Sequence, residues 1–366
     1  IKKILKENLF QPIIFFSSFH KKKNFGNYKF EIKKLKIRFI ENNLRFRLND
    51  NYSSKINHYC ADVKKFNQAL RSLKPKIIII LGDRWETISA AVPSIIQNIP
   101  IIHLYGGAIT EGAIDEKIRH AVTKFSNAHL VLHKKYQKRI IQLGEEKWRT
   151  KVIGLDFLNE LKHQKIMSRE KLYQKIKLSP YKKTFFATFH PVTLEYKKLS
   201  SHIKNFLEAI QKSGYQCIFT YPNSDVGYKL IVNRINKFIL KKKNKYIFIK
   251  KLNLSDYASI LKQCDAVIGN SSMGIVDAAI FKKPVINIGN RQKGKIYSNN
   301  IVHSKNTKSS ILKSIKYIET EKFKKNLKIS ENPYKPQKYN LSKFLNSLLV
   351  SKKNDIYKKK FVDLFN

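Results

Sequence analysis

The sequence predicts an α/β protein built on two open parallel sheets. Three observations carry this: short β-branched runs recur along the chain, amphipathic stretches separate them, and the alternation restarts after one polar crossing. In the front half the runs are PIIFFSS (12–18), KIIIILG (76–82), PIIHLYGG (100–107), AHLVLH (128–133) and KVIGL (151–155). Continuous apolar runs of this length suit strands buried on both faces. Helices are expected over 54–73, 85–98 and 113–127. A Lys-rich stretch at 159–182 forms the crossing. KTFFATFH (183–190), QCIFTYP (216–222), YIFIKK (246–251), DAVIGNSS (265–272) and PVINIG (284–289) make the second set. A last helix is expected at 341–350, ahead of a charged end. The expected division is therefore 1–160, 161–340 and a separate tail at 341–366, with a cleft between the two sheets.

Composition supports a folded chain: of 366 residues, 42% are hydrophobic, 12% aromatic and 27% charged. A formal net charge of +47 would ordinarily suggest nucleic acid or an anionic membrane surface. Its distribution argues otherwise. Lys recurs on every expected helix instead of gathering in one block, and Arg, the better bidentate reader of phosphates and bases, is scarce. Joint abundance of Lys, Ile and Asn fits an AT-rich coding bias. The charge therefore reads as a solvated surface.

Cys60, Cys217 and Cys264 are odd in number and lack metal-ligand spacing, which points to a reducing cytoplasm without a disulfide frame. No apolar run approaches the ~20 residues of a membrane helix. The start of the chain lacks a cleavage-site pattern. A cytoplasmic location is expected.

Ligands of open parallel sheets sit beyond the carboxyl ends of the strands. The polar punctuation falls there. Gly82-Asp83-Arg84-Trp85-Glu86 follows the IIIIL run, and Asp83 is either an N-cap or a functional carboxylate. Arg84 suits a phosphate or a surface pair with Glu86. His103-Leu104-Tyr105-Gly106-Gly107 is followed by Glu111, Asp115 and Glu116. Those acids either favour a helix N-terminus through its dipole or form an acid/base set. Phe189-His190-Pro191 opens the second half, where His190 is an acid/base candidate. The loop 221–227 carries polar residues that suit capping of the next helix. Gly269-Asn270-Ser271-Ser272-Met273-Gly274 offers backbone N–H groups and hydroxyls to a phosphate, with Asp277 placed for ribose hydroxyls. A basic loop, 289–295, follows the last strand.

Taken together and in order, GDRWE, HLYGG, TEGAIDEKIRHAVTKFSNAH, FHPVTLE, YPNSDVG, GNSSMGIVDA and NIGNRQKGK resemble the hydrolysing UDP-N-acetylglucosamine 2-epimerases over about residues 10 to 335. The resemblance implies two Rossmann-like domains arranged as in the B-type glycosyltransferases. It also implies elimination of UDP after proton loss at C2 of the sugar, then addition of water with inversion at C2, releasing N-acetylmannosamine for sialic-acid-type sugars. On matching positions Asp83, Asp115, Glu116 and His190 would be catalytic. Arg84, Glu111, Asn223, Ser271, Ser272, Asp277 and Arg291 would bind substrate or nucleotide. It implies no metal or redox cofactor, and a dimer or tetramer; no specific nucleic acid and no membrane insertion are expected from the spread of charge and the short apolar runs.

The same blocks suit a sister epimerase acting on UDP-diacetylbacillosamine or GDP-N-acetylglucosamine. A B-type glycosyltransferase would not need clustered carboxylates in the first half. Two departures stand out. Ala108 occupies a position where relatives usually carry Glu, leaving Glu111 to cover that role, and Tyr105 stands where some have a carboxylate. The family also opens with a strand ending in Gly-Thr-Arg, whereas Ile1 here is expected to lie already in the following helix. A fragment lacking roughly 20 residues, and hence weak activity or poor folding, is the expectation.

Overall fold

The computed structural model describes residues 4–5, 9–17, 35–41, 51–111, 113–240, 244–351 and 355–364. It comprises two compact units. Ile1–Ala108, Ile114–Gly154 and Pro336–Asn366 form the first, and Ile109–Ala113 with Leu155–Lys335 form the second. The chain thus crosses at Gly154 rather than near 160, and the segment expected to stand apart as a tail belongs to the first unit.

In the first unit, β1 (Ile13–Phe16) and β2 (Arg38–Glu41) pair in parallel, Ile13 opposite Arg38. They form a sheet of their own. β2 was not expected: RFIE is four residues long in a charged stretch and shows too little apolar run to read as a strand. Phe15 meets Phe66 of the helix Tyr52–Leu73 edge-on, with ring centroids 4.8 Å apart. Ile4 and Leu5 are helical, and the rest of the helix expected around Ile1 lies outside the described residues.

The larger sheet of this unit has the order β3 (Ile78–Leu81), β4 (Ile101–Leu104), β5 (Ala128–Val131), β6 (Thr150–Val152), all parallel. The helix expected over 85–98 begins as a 3-10 turn, Trp85–Thr87, and continues as Ile88–Ile96. One cluster joins Ile80 and Ile101 to Ala91, Ile118 and Val122 from the helices Ile88–Ile96 and Asp115–Phe125. Another joins Ile102, Ala128, Leu130 and Ile153 to Leu341, Leu345 and Leu348 of the helix Leu341–Val350. Spacing of four and three residues places those leucines on one stripe, so the C-terminal helix completes this core.

The segment beyond that helix is tied down by buried charge. Arg149, fully buried, donates to Glu146 Oε2 (2.6 Å) and to the carbonyls of Asn127 (3.0 Å), Ile356 (3.1 Å), Asp355 (3.3 Å) and Lys358 (2.7 Å). Its planar fork reaches four backbone carbonyls on two segments, which the single ammonium of Lys could not do.

The second unit holds a six-stranded parallel sheet. β7 (Thr184–Thr188), β8 (Gln216–Thr220), β9 (Tyr246–Ile249), β10 (Ala266–Gly269), β11 (Val285–Ile288) and β12 (Ile301–Ser304) follow in chain order. Their spatial order is β12-β11-β10-β7-β8-β9. β12, IVHS, is an edge strand too short and polar to have stood out. Aromatic side chains fill one face: Phe185, Phe189, Phe206, Phe219 and Tyr246 are all buried. Among the described residues, no helix is long and apolar enough to cross a membrane.

Candidate functional site

In the first unit the strand-end residues converge on Arg119. This arginine is 1% exposed. Its Nε donates to Asp83 Oδ2 at 2.8 Å, and its Nη2 reaches the same oxygen. Nη1 donates to Glu116 Oε2 (2.7 Å) and to the Ala108 carbonyl (2.9 Å). Glu116 in turn meets His120 Nε2 at 3.0 Å through its other oxygen. Asp83 lies at the end of β3 while Glu116 and Arg119 lie on the helix Asp115–Phe125, so one cation holds two carboxylates from different elements and offsets their repulsion.

The 3-10 turn behind Asp83 is capped at Arg84, without a side-chain bond. The acids at 115 and 116 do occupy the first turn of their helix, as the dipole reading requires, and Glu116 takes the ion pairs in addition.

Beneath Asp83, His103 is fully buried, with Nε2 2.9 Å from the Gly82 carbonyl and Nδ1 3.2 Å from Thr123 Oγ1. Burial is the main influence and pushes its pKa down to about 4. The ring is therefore neutral at neutral pH, carries its proton on Nε2 to serve the carbonyl, and braces the Gly82-Asp83 turn. His103 and Arg119 were read as parts of the motifs but not as site residues. Arg119, three residues after Glu116 on a helix, looks in sequence like an ordinary surface pair.

Arg84 takes the surface partner: Nε lies 3.1 and 3.2 Å from the Glu86 oxygens, and Nη2 3.0 Å from one of them. Its expected phosphate role has to compete with that bond. Glu111 belongs to the second unit and pairs with Lys293 at 2.7 Å. That engagement, on exposed side chains, does not support Glu111 as the substitute for an acid at position 108.

In the second unit, loops after β7, β8, β10 and β11 come together. The His190 backbone N–H donates to Asn270 Oδ1 (2.7 Å), and Asn270 Nδ2 returns a bond to the His190 carbonyl (2.9 Å). The Asn223 backbone N–H donates to His190 Nδ1 at 2.9 Å. Nδ1 is therefore an acceptor, and a neutral ring carries its proton on Nε2. Arg291 Nη1 (3.2 Å) and Gln292 Nε2 (3.0 Å) both donate to the Asn270 carbonyl. Ser271 caps the short helix Ser272–Val276, accepting from Met273 N–H at 3.3 Å, while Ser272 is exposed.

Asp277 closes that helix and accepts a 2.5 Å bond from the Tyr257 hydroxyl. Burial lifts its carboxyl to about 7, opposed by that bond. Among the described residues no group of three or more His, Cys, Asp or Glu is placed to hold a metal ion.

Gly269 makes the approach of these loops possible. Its φ is +137°, and a Cβ there would overlap the Thr188 carbonyl of the paired strand. Gly269→Ala is expected to cost at least about 2 kcal/mol, read as a lower melting temperature; an unchanged melt would show that the strand end can yield.

A family model described as UDP-N-acetylglucosamine 2-epimerase matches residues 2–339. The chain belongs to that family. Relatives agree. It is 36% identical over 262 residues to the GDP/UDP-N,N'-diacetylbacillosamine 2-epimerase (hydrolyzing) of Campylobacter jejuni, covering 71% of this chain and 68% of that one. Polysialic acid biosynthesis protein P7 of Escherichia coli is 32% identical over 291 residues, 78% of this chain and 73% of that protein. Among solved structures, the UDP-GlcNAc 2-epimerase of Neisseria meningitidis superposes with a TM-score of 0.72 at 15% identity, covering 86% of each chain. That of Methanocaldococcus jannaschii gives 0.72 at 15%, covering 94% of this chain and 93% of the other. At such identities the likeness speaks for the fold: paired Rossmann-like α/β units with parallel sheets. The family is one of enzymes acting on UDP-linked sugars.

Proposed function

We propose that the protein is a hydrolysing 2-epimerase of a UDP-linked 2-acetamido sugar. The observation that carries this is the Asp83–Arg119–Glu116 arrangement at a strand end, in a chain whose family model is that of the 2-epimerases. A carboxylate among Asp83, Asp115 and Glu116 takes the proton from C2 as the C1–O bond to UDP breaks, forming the C1=C2 double bond. Water then adds its oxygen at C1 and a proton returns to C2 from the opposite face. The weakly acidic C2 proton demands a base held in place, and Arg119 holds Asp83 and Glu116. The departing diphosphate needs a proton or positive charge. His190, with its proton on Nε2, and Arg291 supply these, while Ser271, Ser272 and Asn223 complete the polar contacts.

Two sugars fit. The family description favours UDP-N-acetylglucosamine, giving N-acetylmannosamine. The diacetylbacillosamine reading rests on two relatives, from C. jejuni and from Legionella pneumophila at 32% identity. Incubation of the protein with each nucleotide sugar in D2O distinguishes them: the true substrate yields UDP and a free sugar bearing one deuterium at C2. Release of UDP from neither, or a product without deuterium, would end the proposal.

Asp277 makes the nucleotide step pH-dependent. Its carboxyl is raised from 3.8 to about 7 in the folded protein. The stability it contributes is complete below pH 3.8 and is lost as pH rises through 7. Ribose hydroxyls donate to the ionised form, so UDP binding is expected to tighten between pH 5.5 and about 7.5 and to release a proton. Calorimetry of UDP binding in two buffers checks this. Asp277→Asn, which cannot ionise, should show only the pH dependence of UDP itself, and equal slopes in both proteins would refute the assignment.

A further inference from the structure

Asn270 is 1% exposed and bonds to two other strand-end loops of the second unit, those of His190 and of Arg291 and Gln292. Its side chain makes two hydrogen bonds to one residue, accepting from the His190 N–H at 2.7 Å and donating to the His190 carbonyl at 2.9 Å. Its own carbonyl accepts from Arg291 (3.2 Å) and from the buried Gln292 (3.0 Å). One acceptor and one donor in a plane, a single methylene from the backbone, is what Asn alone provides. Asp lacks the donor, Gln is a carbon too long, and Ser is too short for both. Two-point attachment fixes the His190 backbone, which in turn brings Nδ1 within 2.9 Å of the Asn223 N–H.

We propose that Asn270 is a positioning residue that sets the tautomer of His190 and couples it to Arg291. The proton donor and the diphosphate-holding cation are then parts of one hydrogen-bonded piece. The reaction served rests on the epimerase reading above; the clasp itself does not. A buried Asn that only satisfied backbone groups would stabilise the unit and nothing more, so the test must read the imidazole directly.

The experiment compares wild-type protein with Asn270→Ala and Asn270→Asp, using 15N-histidine NMR with the His190 signal assigned through His190→Gln. Turnover and calorimetric UDP binding are measured on the same samples. Wild type is expected to show His190 as the Nε2–H tautomer. Asn270→Ala should show a mixture of tautomers, a kcat lower by about thirtyfold or more, and weaker UDP binding. Asn270→Asp keeps the acceptor for the His190 N–H and should recover part of both, which also serves should Asn270→Ala not fold. A folded variant of either kind with the wild-type tautomer and a kcat within about threefold of wild type would overturn the proposal. Should wild type turn over neither sugar, the epimerase reading fails while the NMR comparison still decides the clasp.

Discussion

Replacing Arg119 by Leu is expected to lower kcat by about a thousandfold or more, and replacing it by Lys by about a hundredfold. The guanidinium, almost wholly buried, is the shared partner of Asp83 and Glu116 and also satisfies the Ala108 carbonyl. Without it, two carboxylates and a carbonyl lose a donor in a part-buried place, at a cost of about 3 kcal/mol in stability. Lys retains the charge but cannot span three acceptors with one ammonium. Deuterium incorporation at C2 and a thermal melt on the same preparations separate the chemical from the folding effect. A folded Arg119→Leu protein turning over within about tenfold of wild type would show that the carboxylates need no such anchor.

The largest effect on stability is expected at Glu145. It is fully buried, with Lys124 Nζ at 2.7 Å, Lys359 Nζ at 2.8 Å and His129 Nε2 at 3.2 Å. Burial pushes its carboxyl up, but hydrogen bonds from His129, Lys124 and Lys359 outweigh it and hold the group at about 2. Glu145→Gln leaves two ammonium groups around a neutral amide, which should cost about 3–5 kcal/mol and lower the melting temperature by roughly 10 °C. Adding Lys359→Met should recover part of the loss, because the two sites share one interaction. The same ion set gives a pH signature. With the folded carboxyl depressed from 4.5 to about 2, its stabilisation is present above 4.5 and fades as pH falls towards 2, a slope that Glu145→Gln should lack. A change in melting temperature below about 2 °C would mean that water already relieves the cluster.

Neither residue stood out in the sequence, and the reason is the same. Arg119 lies on a helix and Glu145 in the loop after the helix Lys134–Gln142, both in a Lys-rich chain where charges usually face solvent. Asn270 read as one small residue in a phosphate-type loop. Its two bonds to His190 cross 80 positions of chain, a separation no local pattern encodes. By contrast, the strand-end positions of Asp83 and His190 and the helix-start position of Glu116 were legible, since apolar runs and Gly turns precede them. What they touch was not: Arg84 suited a phosphate and an acid equally well, and only the fold gave it Glu86.

From the amino-acid order alone came the alternation of strands and helices, the restart that makes two units, and the family blocks. Each of these is written in stretches of some ten residues by the period of apolar side chains. The tertiary structure alone decided that the C-terminal helix closes the first core, that its charged tail is held by Arg149, and that Arg119 and Asn270 are hubs. Burial within an element follows its local pattern, but the partner of a buried polar group depends on which distant segment crosses it.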